Sequence, residues 1–303
     1  MNIAMDGINL HGIFDFSDYG QLIVLLRNSI IAGAVLGLVG GLVSVFVIAR
    51  DMPFAVHGIS EMSFAGAAGA LLFTGNVVAG SFVGAVLAAV ILGLLGMKSH
   101  EYNSILGVLM PFGLGLGILF LALYKGRAAN KFGLLTGQIV AVDNHSLATL
   151  SVTAAVVIAT LALIWRPLMF ASVDPDVAVT SGVPVRVLAM LFMVLLACTV
   201  AVSIEIVGAL LVLALLCTPA AAAHQVTSSP LWMPVMSVAF ALTAMVGGIF
   251  LALGTTVPVS PYVTTVSFCI YLACRAIRWR RDRRSTRRDT TFTTSSAVTT
   301  STL

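Results

Sequence analysis

The sequence predicts an all-α membrane protein, a polytopic helical bundle of about eight or nine transmembrane helices. Three observations predict it. Of 303 residues, 59% are hydrophobic and only 9% are charged, where a soluble domain carries about 25% charged residues. The mean hydropathy is +1.06. The apolar residues are also gathered into runs of about 20, the length that a helix needs to cross the hydrocarbon core of a bilayer. A soluble core of this size could not hide so much apolar surface. These observations exclude a soluble enzyme, a nucleic-acid-binding domain and a disordered chain.

The runs fall at roughly 28–49, 53–73, 77–97, 104–124, 147–165, 187–203, 206–223, 232–253 and 262–278. The sixth and seventh are short and share a break around Ser203–Glu205, so one of them is a candidate half-helix or re-entrant segment. The first run carries Gly33, Gly37 and Gly41, and the second carries Ser63, Gly66, Ala67 and Ala70. Small residues at such spacing let helices approach closely, in a compact bundle or at a dimer seam. Residues 1–21 form an N-terminal segment with no secretory signal pattern, residues 22–278 the membrane domain, and residues 279–303 a tail. The tail is basic and then Ser/Thr-rich, and is expected to be disordered and cytosolic.

The net charge of +4 is local, because eight of the 16 Lys and Arg residues are arginines between Arg275 and Arg288. They suit anionic lipid and carry no nucleic-acid footprint. With the tail inside and nine crossings, Arg50, Lys98, Arg166, Arg186 and the tail arginines lie on the cytosolic side. Arg27, Lys125, Arg127 and Lys131 lie outside. This bias predicts a multi-pass protein of the plasma or inner membrane with a cytoplasmic C-terminus. Eight crossings would put both ends inside. Cys198, Cys217, Cys269 and Cys274 sit in apolar runs without a CxxC pair and read as buried small hydrophobes.

Ionisable groups inside spans cost roughly 2.5–3.5 kcal/mol at a helix centre and mark function by default. His57 and Glu61 lie four apart in the second run and therefore share one helix face. An imidazole beside a carboxylate makes a half-site for a divalent transition metal; a bundle-stabilising His–Glu hydrogen bond is the other reading. Glu205 either faces a pathway as a further metal contact or caps the helix that follows it. Asp143, Asn144, His145 and Ser146 read as an N-cap ahead of the fifth span, and His224 as a helix-end histidine. No nucleophile–base pair, phosphate loop or zincin helix is present, so neither an enzyme nor an intrinsic ATP site is expected.

The loop between the fifth and sixth runs, "FASVDPDVAVTSGVPVRVL", holds Asp174, Pro175, Asp176, Ala178 and Gly182. Proline at the first turn and glycine at the exit predict a short helix from Pro175 or Asp176 to Gly182. Such a surface helix suits docking on a cytosolic partner, although an ordinary loop helix has the same pattern.

Five collinear blocks resemble the integral-membrane permeases of ATP-binding-cassette importers for zinc, manganese and iron, over roughly residues 22–275. They are "VIARDMPFAVHGISEMSFAG"; "SHEYNSILGVLMPFGLGLGILF", through Glu101, Ile105 and Gly107; "FGLLTGQIVAVD"; the Asp174–Gly182 loop; and "IVGALLVLALLCTPAAAA", through Val207, Gly208 and Pro219. The family pattern in the second span is Asp followed four residues later by His. Here His57 precedes Glu61, which keeps the ligand chemistry and exchanges its order. "VPVSPYVT", with Pro258, Ser260 and Pro261, stands where the family often has Pro-Ser-Gly.

The resemblance implies a homodimeric permease with its pathway at the dimer axis. A cytosolic ATPase homodimer would dock on the coupling loop of about residues 171–186, at Asp174, Pro175, Asp176, Ala178 and Gly182. An extracytoplasmic solute-binding protein would deliver the metal. The chain itself would bind no cofactor; zinc, or manganese or iron, is the cargo, and ATP belongs to the partner. A metal-chelate permease of the same family, an ion-gradient-driven secondary transporter and an intramembrane enzyme are the competing readings.

Overall fold

The computed structural model describes residues 26–95, 99–126, 133, 134, 137, 139, 142–252 and 258–300. The N-terminal segment 1–21 and the orientation residues Lys98, Arg127 and Lys131 lie outside the described residues. So does half of the "FGLLTGQIVAVD" block. The described chain forms ten helices: α1 (Arg27–Ala49), α2 (Pro53–Phe73), α3 (Val77–Leu95), α4 (Ser99–Leu123), α5 (Asn144–Val173), α6 (Pro175–Thr180), α7 (Val185–Val207), α8 (Ala209–Val226), α9 (Trp232–Ala252) and α10 (Val259–Thr300).

Seven of them, α1, α3, α4, α5, α7, α8 and α9, are long and apolar enough on their own to cross a membrane. The two other long helices are more polar. His57, Ser60, Glu61 and Ser63 dilute α2, and the arginines dilute α10.

The turn between α1 and α2 shows how local sequence sets the helix ends. Met52 N–H donates to Val47 C=O at 2.8 Å and Asp51 N–H to Ile48 C=O at 3.2 Å, the two bonds of a Schellman ending. Asp51 takes the left-handed position at φ 52°, which a short polar side chain tolerates better than a branched one. Pro53 then occupies the first turn of α2, where its missing N–H is no loss.

Helices α1 and α7 form the centre, each about two-thirds buried, whereas α4 and α5 lie towards the outside. Small residues set the crossings. A Cβ on Gly41 would lie 2.6 Å from Val238 Cα, and Ser237 Oγ donates to Gly41 C=O at 2.7 Å. The Gly33–Gly37–Gly41 stripe is therefore the α1–α9 contact within one chain and not a dimer seam. On α2, a Cβ on Gly66 would run into the Gly80 carbonyl of antiparallel α3. Beside it, Ser63 and Ser81 hydroxyls lie 2.8 Å apart and Ser81 Oγ donates to Ala201 C=O of α7 at 2.9 Å. These buried hydroxyls are satisfied across three helices, as a low-dielectric interior requires.

The expected break between the sixth and seventh runs falls at Gly208, with φ 77°, and not at Ser203–Glu205. Glutamate at 205 is tolerated inside the last turn of α7, while only glycine adopts the backbone at 208 without strain. Neither flanking segment is a half-helix, since α7 has 23 residues and α8 has 18. Helix α10 runs for 42 residues to Thr300, past the 279 boundary where the sequence predicts disorder. Arginine is a good helix former, which carries α10 beyond its apolar part.

Candidate metal path and coupling surface

Helix α2 positions the first candidate residues. Pro53 fixes the start, and Glu61 lies about 12 Å along the axis, near the middle of a helix about 31 Å long. Phe54, His57 and Glu61 share an open stripe on the first half of α2, while Ala55, Val56, Ile59 and Ser60 are buried. The His57 side chain is 42% exposed and that of Glu61 12% exposed, with His57 Nε2 3.7 Å from Glu61 Oε1. That distance is an ion-pair contact and too long for a hydrogen bond. Glu61 Oε2 is buried and has no hydrogen-bond partner among the described residues. A buried carboxylate oxygen without a donor is costly unless a proton or cation reaches it.

Two neighbours hold Glu61 in place. Gly113 of α4 abuts its backbone, where an added Cβ would sit 3.0 Å from Glu61 C and 3.2 Å from Glu61 Cβ. Ser60 Oγ reaches Ala209 C=O at 3.4 Å, which ties α2 to the first residue of α8. Neither Ser60 nor Gly113 stood out in the sequence, because both signals depend on which helices meet.

The structure brings Glu205 elsewhere. It sits in the last turn of α7, and Ser146 Oγ at the start of α5 donates to its Oε1 at 3.0 Å. It does not cap α8: the N-cap is Gly208, with no side-chain hydrogen bond. The expected N-cap of α5 is observed, with Ser146 N–H donating to Asp143 Oδ1 at 3.0 Å. Hydrogen bonds from the Ser146 hydroxyl and then its backbone amide hold the Asp143 carboxyl below the usual range. Asn28 Nδ2 donates to Asn144 Oδ1 at 2.9 Å, which joins α1 to the same corner. His224 is exposed in the last turn of α8, where a histidine complements the helix C-terminus. Among the described residues no three His, Cys, Asp or Glu side chains gather into a metal cage. On α2 the arrangement offers two candidate ligand side chains, His57 and Glu61.

The coupling-loop residues come together as one short helix. Asp174 caps α6 by accepting from Val177 N–H at 3.0 Å, and Pro175 occupies its first turn. Gly182, at φ 81°, closes it with another Schellman ending: Gly182 N–H to Val179 C=O and Val183 N–H to Ala178 C=O, both 3.0 Å. Ala178 is fully buried against the bundle, while Val177 and Val179 are exposed. Three of the five motif residues thus build the helix, Ala178 seats it and Asp176 lies on its first turn.

The profile of the ABC 3 transport family matches residues 23–278. The chain belongs to that family. It is therefore a transport component, and the resemblance drawn from the five blocks is borne out. Relatives include the manganese import system permease protein ScaB of Streptococcus parasanguinis, 28% identical over 86% of this chain and 93% of the relative. The high-affinity zinc uptake system membrane protein ZnuB of Haemophilus influenzae is 25% identical over 82% of this chain and 95% of the relative. The structure of PsaBC from Streptococcus pneumoniae in complex with a Fab superposes with a TM-score of 0.76, at 27% identity, over 84% of this chain and 95% of that one. The fold is thus that of metal-transporting ABC permeases. The relatives divide between manganese and zinc.

Proposed function

We propose that this ABC 3 family chain forms the translocation pathway of an ATP-driven importer of divalent transition metal ions, with zinc as the cargo. The observation that carries the reading is the buried, unpartnered Oε2 of Glu61 beside His57, midway along α2. A divalent ion would bind the carboxylate and imidazole together and satisfy the oxygen that the fold leaves open. Two ligands bind weakly enough for the ion to leave, which transport needs and storage does not.

Nine helices cross in alternation in this reading, with the C-terminus in the cytosol and α6 on the same side. A second copy covers the α2 stripe. A half-exposed His57 at this depth would otherwise face hydrocarbon, which is unfavourable for an imidazole. The exposed valines and the Asp176 carboxylate of α6 meet a cytosolic ATPase dimer, whose ATP cycle rocks the bundle. An extracytoplasmic binding protein delivers the ion. Glu205 serves as a lock between α7 and α5, since its partner is Ser146. Manganese is the second reading, favoured by relatives such as ScaB and by the carboxylate ligand.

The test is cellular metal content under metal starvation in a strain lacking this chain. The wild-type chain is expected to restore zinc, and His57→Ala/Glu61→Ala to leave it at the deletion level with normal membrane abundance. Restoration of manganese alone would replace the cargo, and restoration of zinc by the double variant would remove the site.

A further inference from the structure

The arginine-rich part of α10 is not used by the transport reading. Its two faces differ. One face is tied to α8: Cys274 is buried, Arg278 Nη1 donates to Gln225 Oε1 and Arg281 Nη1 to Val226 C=O, both at 3.2 Å. The Arg281 bond satisfies a carbonyl that the end of α8 would leave without an intrahelical partner. The other face starts as apolar surface at Phe268 and Leu272, both exposed. It continues through Arg275, Trp279 and Arg283, with Arg280 beside them. Arg275 Nη1 donates to the Tyr271 hydroxyl at 3.2 Å. The Arg283 guanidinium stacks 3.7 Å above the ring of Trp279, which is 54% exposed.

An unbroken helix carries this stripe, so Arg275 to Arg283 span only about 12 Å of axis directly beyond the apolar stretch. An exposed tryptophan set among cations directly past an apolar stretch is the composition met on leaving hydrocarbon for the headgroup layer. Between Arg275 and Asp289 the sequence holds eight arginines against two acids, Asp282 and Asp289. The local field is therefore strongly positive where lipid phosphates lie.

We propose that Arg275, Arg280 and Arg283, with Trp279, form a binding site for anionic phospholipid headgroups. Arg278 and Arg281 are the clamp that aims this face at the bilayer. The proposal rests on the transport reading only for which leaflet is bound. The headgroups hold the extension of α10 at the membrane surface and so fix the end of α8, through Gln225 and Val226, relative to the lipid.

The experiment uses the full chain purified in detergent and titrated with phosphatidylglycerol or phosphatidylcholine, with retained lipid counted by native mass spectrometry. The wild-type chain is expected to retain phosphatidylglycerol selectively, with affinity falling as salt rises. Arg275→Gln/Arg280→Gln/Arg283→Gln is expected to lower that affinity roughly a hundredfold, about fivefold for each cation. Arg278→Gln/Arg281→Gln should change it only about threefold while lowering the melting temperature. The wild-type comparison of the two lipids needs no variant, so a folding failure cannot mask the answer. Equal retention of both lipids overturns the proposal, as does an unchanged triple variant. Displacement of the lipid by excess inorganic phosphate would make this a phosphate site instead. Loss of ATPase-subunit capture by the triple variant, without lipid preference, would make the face a protein contact.

Discussion

Two half-buried glutamates sit in this bundle, and the fold treats them differently. Glu205 is closed: the Ser146 hydroxyl donates to its Oε1 at 3.0 Å, and the bond joins the end of α7 to the start of α5. Glu61 is open: its Oε2 is buried without a partner among the described residues, and its Oε1 is 3.7 Å from a half-exposed histidine. Residue type and burial alone do not separate the two. What separates them is whether the neighbouring helix supplies a donor, so we assign the satisfied carboxylate to architecture and propose the unsatisfied one as the contact for cargo.

The largest expected effect breaks the open site. His57→Ala/Glu61→Ala should reduce initial metal uptake to background, at least a hundredfold, with unchanged membrane abundance and melting temperature. Those measurements distinguish lost chemistry from lost folding. Gly113→Val tests how the site is held. The added side chain meets the Glu61 backbone, and overpacking of this kind costs about 1–3 kcal/mol. It should lower both the melting temperature and uptake, the latter roughly tenfold.

The closed site should respond in stability. Ser146→Ala leaves Glu205 without its donor and is expected to cost about 1–3 kcal/mol. Chemical denaturation would show the loss, while uptake per folded molecule stays within about threefold.

The smallest effect is the acid limb at the same corner. The Asp143 carboxyl titrates below its ordinary range because Ser146 hydrogen-bonds the charged form. Its contribution to stability is present above about pH 4, the ordinary Asp value, and is lost as the pH falls through the lower folded-state value. Asp143→Asn should flatten that part of the profile of melting temperature against pH, and an unaltered acid limb would count against the cap.

Much of the fold was legible in the sequence because hydropathy and helix punctuation are local. The second run, 53–73, coincides with α2, and the first, 28–49, differs from α1 by one residue. The helix of the coupling loop was legible for the same reason: Asp174, Pro175 and Gly182 are the cap, first turn and exit of one six-residue helix. Errors arose where a local signal was overruled by a distant partner. The charge at Glu205 suggested a break, yet Ser146, 59 residues away, lets the helix continue to Val207. The fifth apolar run ends at about 165, yet α5 accommodates Pro167 and runs on to Val173. The pair His57 and Glu61 was legible as a shared face. That Gly113 presses on it, and that Oε2 stays without a donor, depends on packing against α4 and α8.

The most direct test places the two glutamates side by side. Initial uptake of radiolabelled zinc and manganese would be measured in cells lacking the native chain and expressing Glu61→Gln or Glu205→Gln at equal membrane abundance. The expected result is uptake near background for Glu61→Gln and within about threefold of wild type for Glu205→Gln. Wild-type uptake by Glu61→Gln, or loss confined to Glu205→Gln, would contradict the assignment of the open carboxylate as the metal contact.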